Sequence, residues 1–199
     1  PCKIEAEAWE LDADLFKDKR VLDIGAWNGY FSFLAEKMGA KRVLATDQYC
    51  WGGAEKYLAT LEDPTCSVHG VVDPAKVVLH GKRGFDLAHD LIGSEIESKT
   101  IDALDISLET VGKFDVVLFL GVFYHLIDPI LGIRRAAETA GEGLVVETTY
   151  EDANRALIND KALLELRPPR LMSDKTNYWS PNVRCLQVLL TEVLGFKKL

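Results

Sequence analysis

Positive charge, paired cysteines and long apolar runs are what this chain has least of, and each shortage narrows the field. Lys and Arg number 23 against 31 Asp and Glu, for a net charge of −8. The basic residues come in short clusters (Lys17/Lys19/Arg20, Lys41/Arg42, Lys82/Arg83, Arg167/Arg170, Lys197/Lys198) and never as a stripe. On average such a surface repels a phosphate backbone, so tRNA or any other nucleic acid is disfavoured as the main partner. Cys2, Cys50, Cys66 and Cys185 are irregularly spaced and form no Cys-x-x-Cys pair, and the histidines complete no zinc pattern. Free thiols in a reducing cytoplasm, with no metal, are the expectation. The longest apolar stretches, Val116–Leu120 and Leu144–Val146, have the length of buried strands and fall far short of the roughly 20 residues of a membrane span. The first residues also lack the basic-then-apolar order of a secretory signal.

What remains is an ordinary globular composition: 199 residues, 48% hydrophobic, which suits one α/β domain with a sheet covered on both faces. The patterns alternate strand and helix. Arg20–Ile24 reads as the first strand after a lead-in over 1–19, Phe31–Met38 as a helix stopping at Gly39, and Lys41–Thr46 as the second strand. Gly52-Gly53, Pro64 and Pro74 break the next stretch, so 53–81 reads as an insertion with one short helix near Ala54–Leu61. Phe85–Ile92 resumes a helix that ends at Gly93. Ile96–Ile101, Phe114–Leu120 and Gly143–Thr148 are the third, fourth and fifth strands. Asp128-Pro129 supplies a cap and a first-turn proline for a helix through Thr139. Ala153–Leu166 reads as a helix ended by Pro168-Pro169. Ser180-Pro181 repeats the cap-plus-proline signal before an apolar stripe of Val183, Leu186, Leu190, Val193 and Leu194. This alternation predicts a mostly parallel sheet with helices on both faces.

The informative segment is Val21-Leu22-Asp23-Ile24-Gly25-Ala26-Trp27-Asn28-Gly29-Tyr30, which joins a strand to a helix. Open α/β sheets bind ligands at such turns, beyond the carboxyl ends of their strands. Gly25 and Gly29 are the positions that let backbone turn tightly and approach a ligand. A dinucleotide fingerprint beginning at Gly25 needs further glycines where this chain has Trp27 and Tyr30, and both side chains crowd the place of a pyrophosphate. S-adenosylmethionine has no phosphate and fits the Asp-x-Gly-x-x-x-Gly spacing better. Asp47, ending the second strand, is placed to accept both ribose hydroxyls of an adenosine, with Gln48 beside it. Asp102, followed by Ala103-Leu104, offers an acceptor for the adenine amino group next to an apolar surface; Asp105 is the alternative acid.

Several segments resemble one known family. Gly121-Val122-Phe123-Tyr124-His125-Leu126-Ile127-Asp128-Pro129 is similar to the segment after the fourth strand in a group of class I S-adenosylmethionine-dependent methyltransferases. That group is related to the tRNA wobble-uridine methyltransferases of the 5-methoxyuridine and 5-carboxymethoxyuridine pathway. Lys19-Arg20-Val21-Leu22-Asp23-Ile24-Gly25, Gly84-Phe85-Asp86-Leu87-Ala88-His89, Val145-Val146-Glu147-Thr148 and Asn177-Tyr178-Trp179-Ser180-Pro181-Asn182 carry the same likeness. The resemblance implies a Rossmann-like fold with a seven-stranded sheet and S-adenosyl-L-methionine as cofactor. It implies that the glycine loop and the acids Asp23, Asp47 and Asp102 hold that cofactor. Trp27 departs from the pattern, standing where many members have a middle glycine. The segment 53–81 is longer than the family pattern, and the chain stops at Phe196-Lys197-Lys198-Leu199, before a final antiparallel strand pair is complete.

The expected cofactor-binding set is therefore Asp23, Gly25, Ala26, Trp27, Asn28, Gly29, Asp47, Gln48, Asp102, Ala103, Leu104 and Gly121. Methyl transfer from a sulfonium needs a positioned nucleophile, and a base if that nucleophile carries a proton. His125, just past the fourth strand, is the candidate base, since an unperturbed imidazole titrates near pH 6.5. Packing under the Asp128 helix start is the competing role for the same side chain. Tyr124 is the second candidate catalytic residue, orienting substrate or touching the cofactor's amino-acid end. Tyr30 and Trp51 are candidate lids, and Glu147, Tyr178 and Trp179 candidate substrate contacts; Tyr150 faces the same region. The expected activity is methyl transfer to an oxygen or nitrogen of a small molecule. The alternatives are a tRNA wobble-uridine methyl or carboxymethyl transferase, which in the second case requires a cation near the methyl position, and a cofactor-binding subunit with no activity of its own.

Overall fold

The computed structural model describes residue 11 and residues 13–52, 81–150, 161–167 and 177–199. Its centre is a five-stranded parallel sheet in the order β3-β2-β1-β4-β5, formed by β1 Arg20–Ile24, β2 Arg42–Thr46, β3 Glu97–Lys99, β4 Phe114–Leu120 and β5 Ala140–Glu147. The helices are α1 Ala13–Phe16, α2 Tyr30–Lys37, α3 Arg83–Ile92, α4 Pro129–Thr139 and α5 Val183–Val188. A separate antiparallel ribbon pairs β6 Leu164–Leu166 with β7 Trp179–Pro181. The chain builds outward from β1 in one direction, then from β4 in the other. The crevice of this sheet therefore lies between the carboxyl ends of β1 and β4.

Residue alternation assigns side chains to two apolar layers. Val21, Val43, Ala45, Val116, Leu118 and Leu120 face a layer with Phe16, Ala35, Trp51 and Phe85. Leu22, Ile24, Leu44, Val117 and Phe119 face the opposite layer with Ile106, Phe123, Ile133 and Ala136. Phe16, Phe85, Phe114, Phe119 and Phe123 are among the largest side chains wholly withdrawn from water, each contributing roughly 1.5–3 kcal/mol of transfer free energy. Asp23 falls by the same alternation into the first layer, a carboxylate among apolar neighbours. At the amino ends of the strands, charge is placed where water reaches it. Arg20 grips Asp115 through Nη2 at 2.8 Å and Nε at 3.2 Å, which draws that carboxyl down to about 2. Arg42 grips Glu97 on the β3 edge at 2.7 and 2.8 Å.

Five expectations change. The seven described strands divide into a sheet of five and a ribbon of two, so no single seven-stranded sheet forms among the described residues. The third strand is only Glu97–Lys99, all exposed, because just three residues pair with β2. Ser180-Pro181 is no helix cap: both lie in β7, and Asn182 caps α5 instead, its carboxamide accepting the Cys185 amide at 2.8 Å. Pairing with Leu164 and Glu165 commits Ser180 and Pro181 to the ribbon first. For the same reason the expected helix over Ala153–Leu166 ends in a strand; its first part, 153–160, lies outside the described residues, as do 53–80 with the short helix near Ala54–Leu61. The last apolar stripe is also broken. A π turn over Leu189–Val193 adds a residue to the helical turn, burying Leu189 and leaving Val193 57% exposed. The Asp128 cap and Pro129 first turn stand as expected, with Asp128 accepting the Leu131 amide at 2.9 Å.

Gly29 and Gly93 separate two costs of replacing a glycine. Both have positive φ, 82° and 61°, but a Cβ at Gly29 would lie 2.6 Å from Phe33 and Phe85, whereas none within 4 Å meets one at Gly93. Gly93→Ala should lower unfolding stability by about 1–2 kcal/mol, the left-handed backbone cost alone. Gly29→Ala should lose about 2–5 kcal/mol, because overpacking adds to it. Urea unfolding of the two variants checks the order, and equal losses would count against the packing described here.

Candidate active site

The turn after β1 is stitched to the end of β2. Gly25 and Ala26 both donate backbone N–H groups to Thr46 O, at 2.8 and 3.0 Å, and Gly29 donates to Ala26 O at 2.7 Å. Gly25 has φ 79°, and a Cβ there would lie 2.5 Å from Val122 Cγ2 in the turn after β4. Its bare backbone lets the β1 and β4 turns approach each other. Trp27, in the position of the missing middle glycine, has φ 51° and is 40% exposed. Its backbone is held on both sides: the N–H donates to Asp47 Oδ2 at 2.9 Å, and the carbonyl accepts Trp51 Nε1 at 2.7 Å. The exposed Asn28 side chain lies against Gly84 at the start of α3.

Asp47 is 5% exposed and lies between the two turns. Its other oxygen, Oδ1, accepts the Cys50 amide at 2.7 Å, and the amides of Tyr49 and Trp51 also face the carboxylate. Burial raises its pKa and these amides oppose the rise. The same burial, with Asp47's charge adding, pushes the Cys50 thiol up to about 12. Gln48 folds its amide against Gly52. Asp23 sits deeper, 2% exposed beneath α2, and accepts the Ser32 hydroxyl at 2.6 Å. Burial raises its pKa to about 6; Ser32 opposes the shift and the Asp47 charge adds to it. Asp23 therefore sits under the glycine turn and acts on it through α2.

Beyond β4, Gly121 has φ 70° and lies between two polar groups: a Cβ there would be 3.5 Å from the Tyr124 hydroxyl and 3.7 Å from Glu147 Oε2. Gly121 also donates its N–H to Glu147 O at 3.2 Å. Tyr124 and His125 lie in a 3-10 turn, Phe123–His125, with their rings 4.2 Å apart. The His125 ring also stacks on Tyr49 at 5.9 Å and 16°. The β6-β7 ribbon docks onto this turn, with Tyr178 donating to Tyr124 O at 2.8 Å and Trp179 Nε1 to Leu126 O at 2.9 Å. Arg167 follows β6 and donates its amide to Tyr178 O at 2.6 Å.

The structure thus gathers Gly25, Ala26, Trp27 and Asp47 on one side of the crevice, and Gly121, Tyr124, His125, Glu147, Tyr178 and Trp179 on the other. Trp51 is a correction. Expected as a lid, it is 7% exposed, packs on Phe85 at 4.8 Å and commits its N–H to Trp27, so it belongs to the core beneath the turn. Tyr30 opens α2 and packs edge-on against Phe31 at 5.0 Å. Asp102 caps the Ala103–Asp105 turn through the Leu104 amide at 2.9 Å, while Leu104 reaches toward Gly132 of α4. Tyr150 is 63% exposed. Sequence reasoning missed Tyr49, Ser32 and Arg167. An aromatic residue two places after the Asp47 carboxylate was the available signal for Tyr49; contacts distant in sequence define the other two. Among the described residues, no three His, Cys, Asp or Glu side chains gather as a metal site, and no helix is long and apolar enough to cross a membrane.

A family model described as a methyltransferase domain matches residues 3–197, and the chain belongs to that family, within the class I S-adenosylmethionine-dependent methyltransferases. Among curated relatives, a tRNA U34 carboxymethyltransferase from Actinobacillus pleuropneumoniae serotype 3 (strain JL03) is 25% identical over 185 residues, covering 91% of this chain and 46% of the relative. The chain thus spans about half the length of the curated relatives it matches. Among solved structures, the N-terminal domain of EvdMO1, crystallised in the presence of S-adenosylhomocysteine and D-fucose, superposes with a TM-score of 0.64 at 17% identity, covering 97% of this chain and 73% of that one. An O-methyltransferase family protein from Burkholderia thailandensis gives a TM-score of 0.60 at 15% identity, over 97% of this chain and 50% of that one. These likenesses establish the Rossmann-like fold.

The buried acid under the turn generates a pH prediction. Asp23 has a folded pKa near 6, above its unfolded value, so the native chain holds that proton more tightly. Its stabilising share is complete below the unfolded pKa of about 4 and is lost as pH rises through the folded value. Asp23→Asn, which keeps an acceptor for Ser32, should therefore be more stable than the parent at pH 7.5, by on the order of 2–3 kcal/mol. The gain should shrink toward pH 4. Urea midpoints across that range test it, and a gain that grows on acidification would reverse the assigned sign.

Proposed function

We propose that this chain moves a methyl group from S-adenosyl-L-methionine to an oxygen or nitrogen of a small molecule, in the cytoplasm. The observation that carries the acceptor class is the ribbon docked on Tyr124 and Leu126, which walls the crevice beside His125. A walled site suits a small acceptor better than a folded nucleic acid, and the net charge of −8 favours the same choice. The sugar present with one structural neighbour is consistent with this reading.

The residues present fit the cofactor. Gly25 and Gly121 leave bare backbone on opposite sides of the crevice, and Asp47 brings a carboxylate to the end of β2. In this reading Asp47 accepts the ribose hydroxyls, sharing its oxygens with the amides of Trp27, Tyr49, Cys50 and Trp51. Asp102 with Ala103 receives the adenine, and Gly121, Tyr124 and Glu147 face the amino-acid end. The bound cofactor supplies an electrophilic methyl group on a sulfonium. The chain's own work is to align the acceptor and remove its proton. In this reading His125 would take that proton, while Tyr178 and Trp179 would hold the acceptor from the ribbon side.

A second reading rests on the curated relatives, whose name is tRNA U34 carboxymethyltransferase. Carboxymethyl transfer requires a cation near the transferred group, and Arg167, beside Tyr178 on the ribbon, is the residue to serve it.

Two experiments test these roles. With methyl-tritiated S-adenosylmethionine, label should pass from the protein into a small-molecule extract and not into bulk unmodified tRNA. Label in tRNA, with binding that weakens steeply as salt rises, would replace the small-molecule reading by the second one. Once an acceptor is identified, His125→Ala should cut turnover by about 10²–10⁴-fold, without weakening S-adenosylhomocysteine binding. The pH–rate profile should lose its limb in the neutral range where imidazole titrates. Undiminished turnover would return His125 to a packing role.

A further inference from the structure

The stacked pair Tyr49 and His125 joins two parts of the fold that the sheet keeps apart. Tyr49 follows β2 and His125 follows β4, yet β1 lies between those strands. Two strand spacings separate β2 from β4, roughly 10 Å, whereas the two rings are 5.9 Å apart and nearly parallel at 16°. To meet, the side chains must reach toward each other across the carboxyl end of β1, where the Gly25–Gly29 turn begins and the crevice opens. Tyr49 is anchored by its backbone, since its amide and its neighbours' amides face the buried Asp47 carboxylate. Tyr49 is 43% exposed, so water reaches the pair. His125 is backed by Tyr124 at 4.2 Å on its own turn, which makes it the fixed member of the pair.

From this arrangement we propose that Tyr49 is a gate: its ring, stacked on His125, bars the cofactor crevice, and a nucleoside is admitted only when the stack parts. The inference rests on the cofactor reading given above and adds to it a control on admission. Opening the gate also bares one face of the imidazole. Admission of cofactor and exposure of the proposed base are then a single event. A ligand that binds only the open form associates at a rate scaled by the open fraction, so weakening the stack should speed binding.

Stopped-flow mixing of the full chain with S-adenosylhomocysteine, followed by tryptophan fluorescence, reads this out directly. Tyr49→Ala and His125→Ala should each raise the association rate constant by about 2- to 10-fold, the span expected for one aromatic stack. The double variant should gain no more than either single one, because both remove the same contact. Tyr49→Phe, which keeps the ring and controls for loss of fold, should stay close to the parent. Unchanged or slower association in Tyr49→Ala, additive gains in the double variant, or a Phe variant that behaves like Ala would each overturn the gate while leaving the cofactor reading intact. Failure of S-adenosylhomocysteine to bind the parent or any of the four variants would remove both.

Discussion

The two oxygens of Asp47 are committed to different stretches of chain, one to the Trp27 amide and one to the Cys50 amide. Trp51, from the same turn as Cys50, then fixes the Trp27 carbonyl. Trp27 is held at both its backbone groups in the left-handed region, at φ 51°, a conformation that costs a bulky residue about 1–2 kcal/mol. A hydrogen bond to a buried carboxylate is worth about 1.5–3 kcal/mol, so the tie outweighs the strain. The glycine turn is thereby set by the tail of β2 as well as by its own glycines. This is how the chain tolerates tryptophan where many related methyltransferases have glycine. It also means that Asp47 is both a structural clasp and the proposed ribose acceptor, so removing it cannot leave the turn undisturbed.

The two acids near the crevice divide their roles by depth. Asp47 sits among four amides that stabilise its charge, whereas among the described residues Asp23 has only the Ser32 hydroxyl and amide and an apolar layer around it. Both carboxyls are raised chiefly by burial, but Asp23 lies beneath α2 and has its contact with Ser32 instead of an open face. Its contribution is to seat the helix that follows the turn. Keeping an acid there costs stability at neutral pH, which is easier to understand at a site used for binding than in a layer serving only to hold the fold.

How much of this was legible depended on the range of the interactions. The Asp128-Pro129 helix start was readable because its cap is decided within a few residues, and the β1 turn because its glycines are local, although the Asp47 tie that fixes Trp27 is not. Ser180-Pro181 misled for the opposite reason. Two cap signals follow each other, Ser180 and Asn182, and only pairing with Leu164–Leu166, distant in sequence, selects the second. Trp51 was misread as a lid because an aromatic near a ligand turn looks alike in sequence whether it covers the ligand or supports the turn. Its hydrogen bond to Trp27 decides between them. The place of Tyr49 after Asp47 was legible, but its partner His125 is reached only once β1 is known to lie between β2 and β4.

The same difference in range explains why cofactor chemistry is easier to argue here than acceptor identity. The ribose end of the proposed cofactor site is built from two adjacent strands and their turns, joined by short contacts from Gly25 through Cys50. The acceptor side is assembled from the β4 turn, the end of β5 and a ribbon whose strands come from separate stretches of the chain. The curated relatives are matched over less than half their own length. On the proposed function, the acceptor is met by side chains on the ribbon and in the β4 turn, where Tyr178 and Trp179 meet Tyr124 and Leu126 and Arg167 meets Tyr178. On that proposal a change of acceptor between related chains needs no change in the Asp47 clasp, only a different ribbon laid against the same turn.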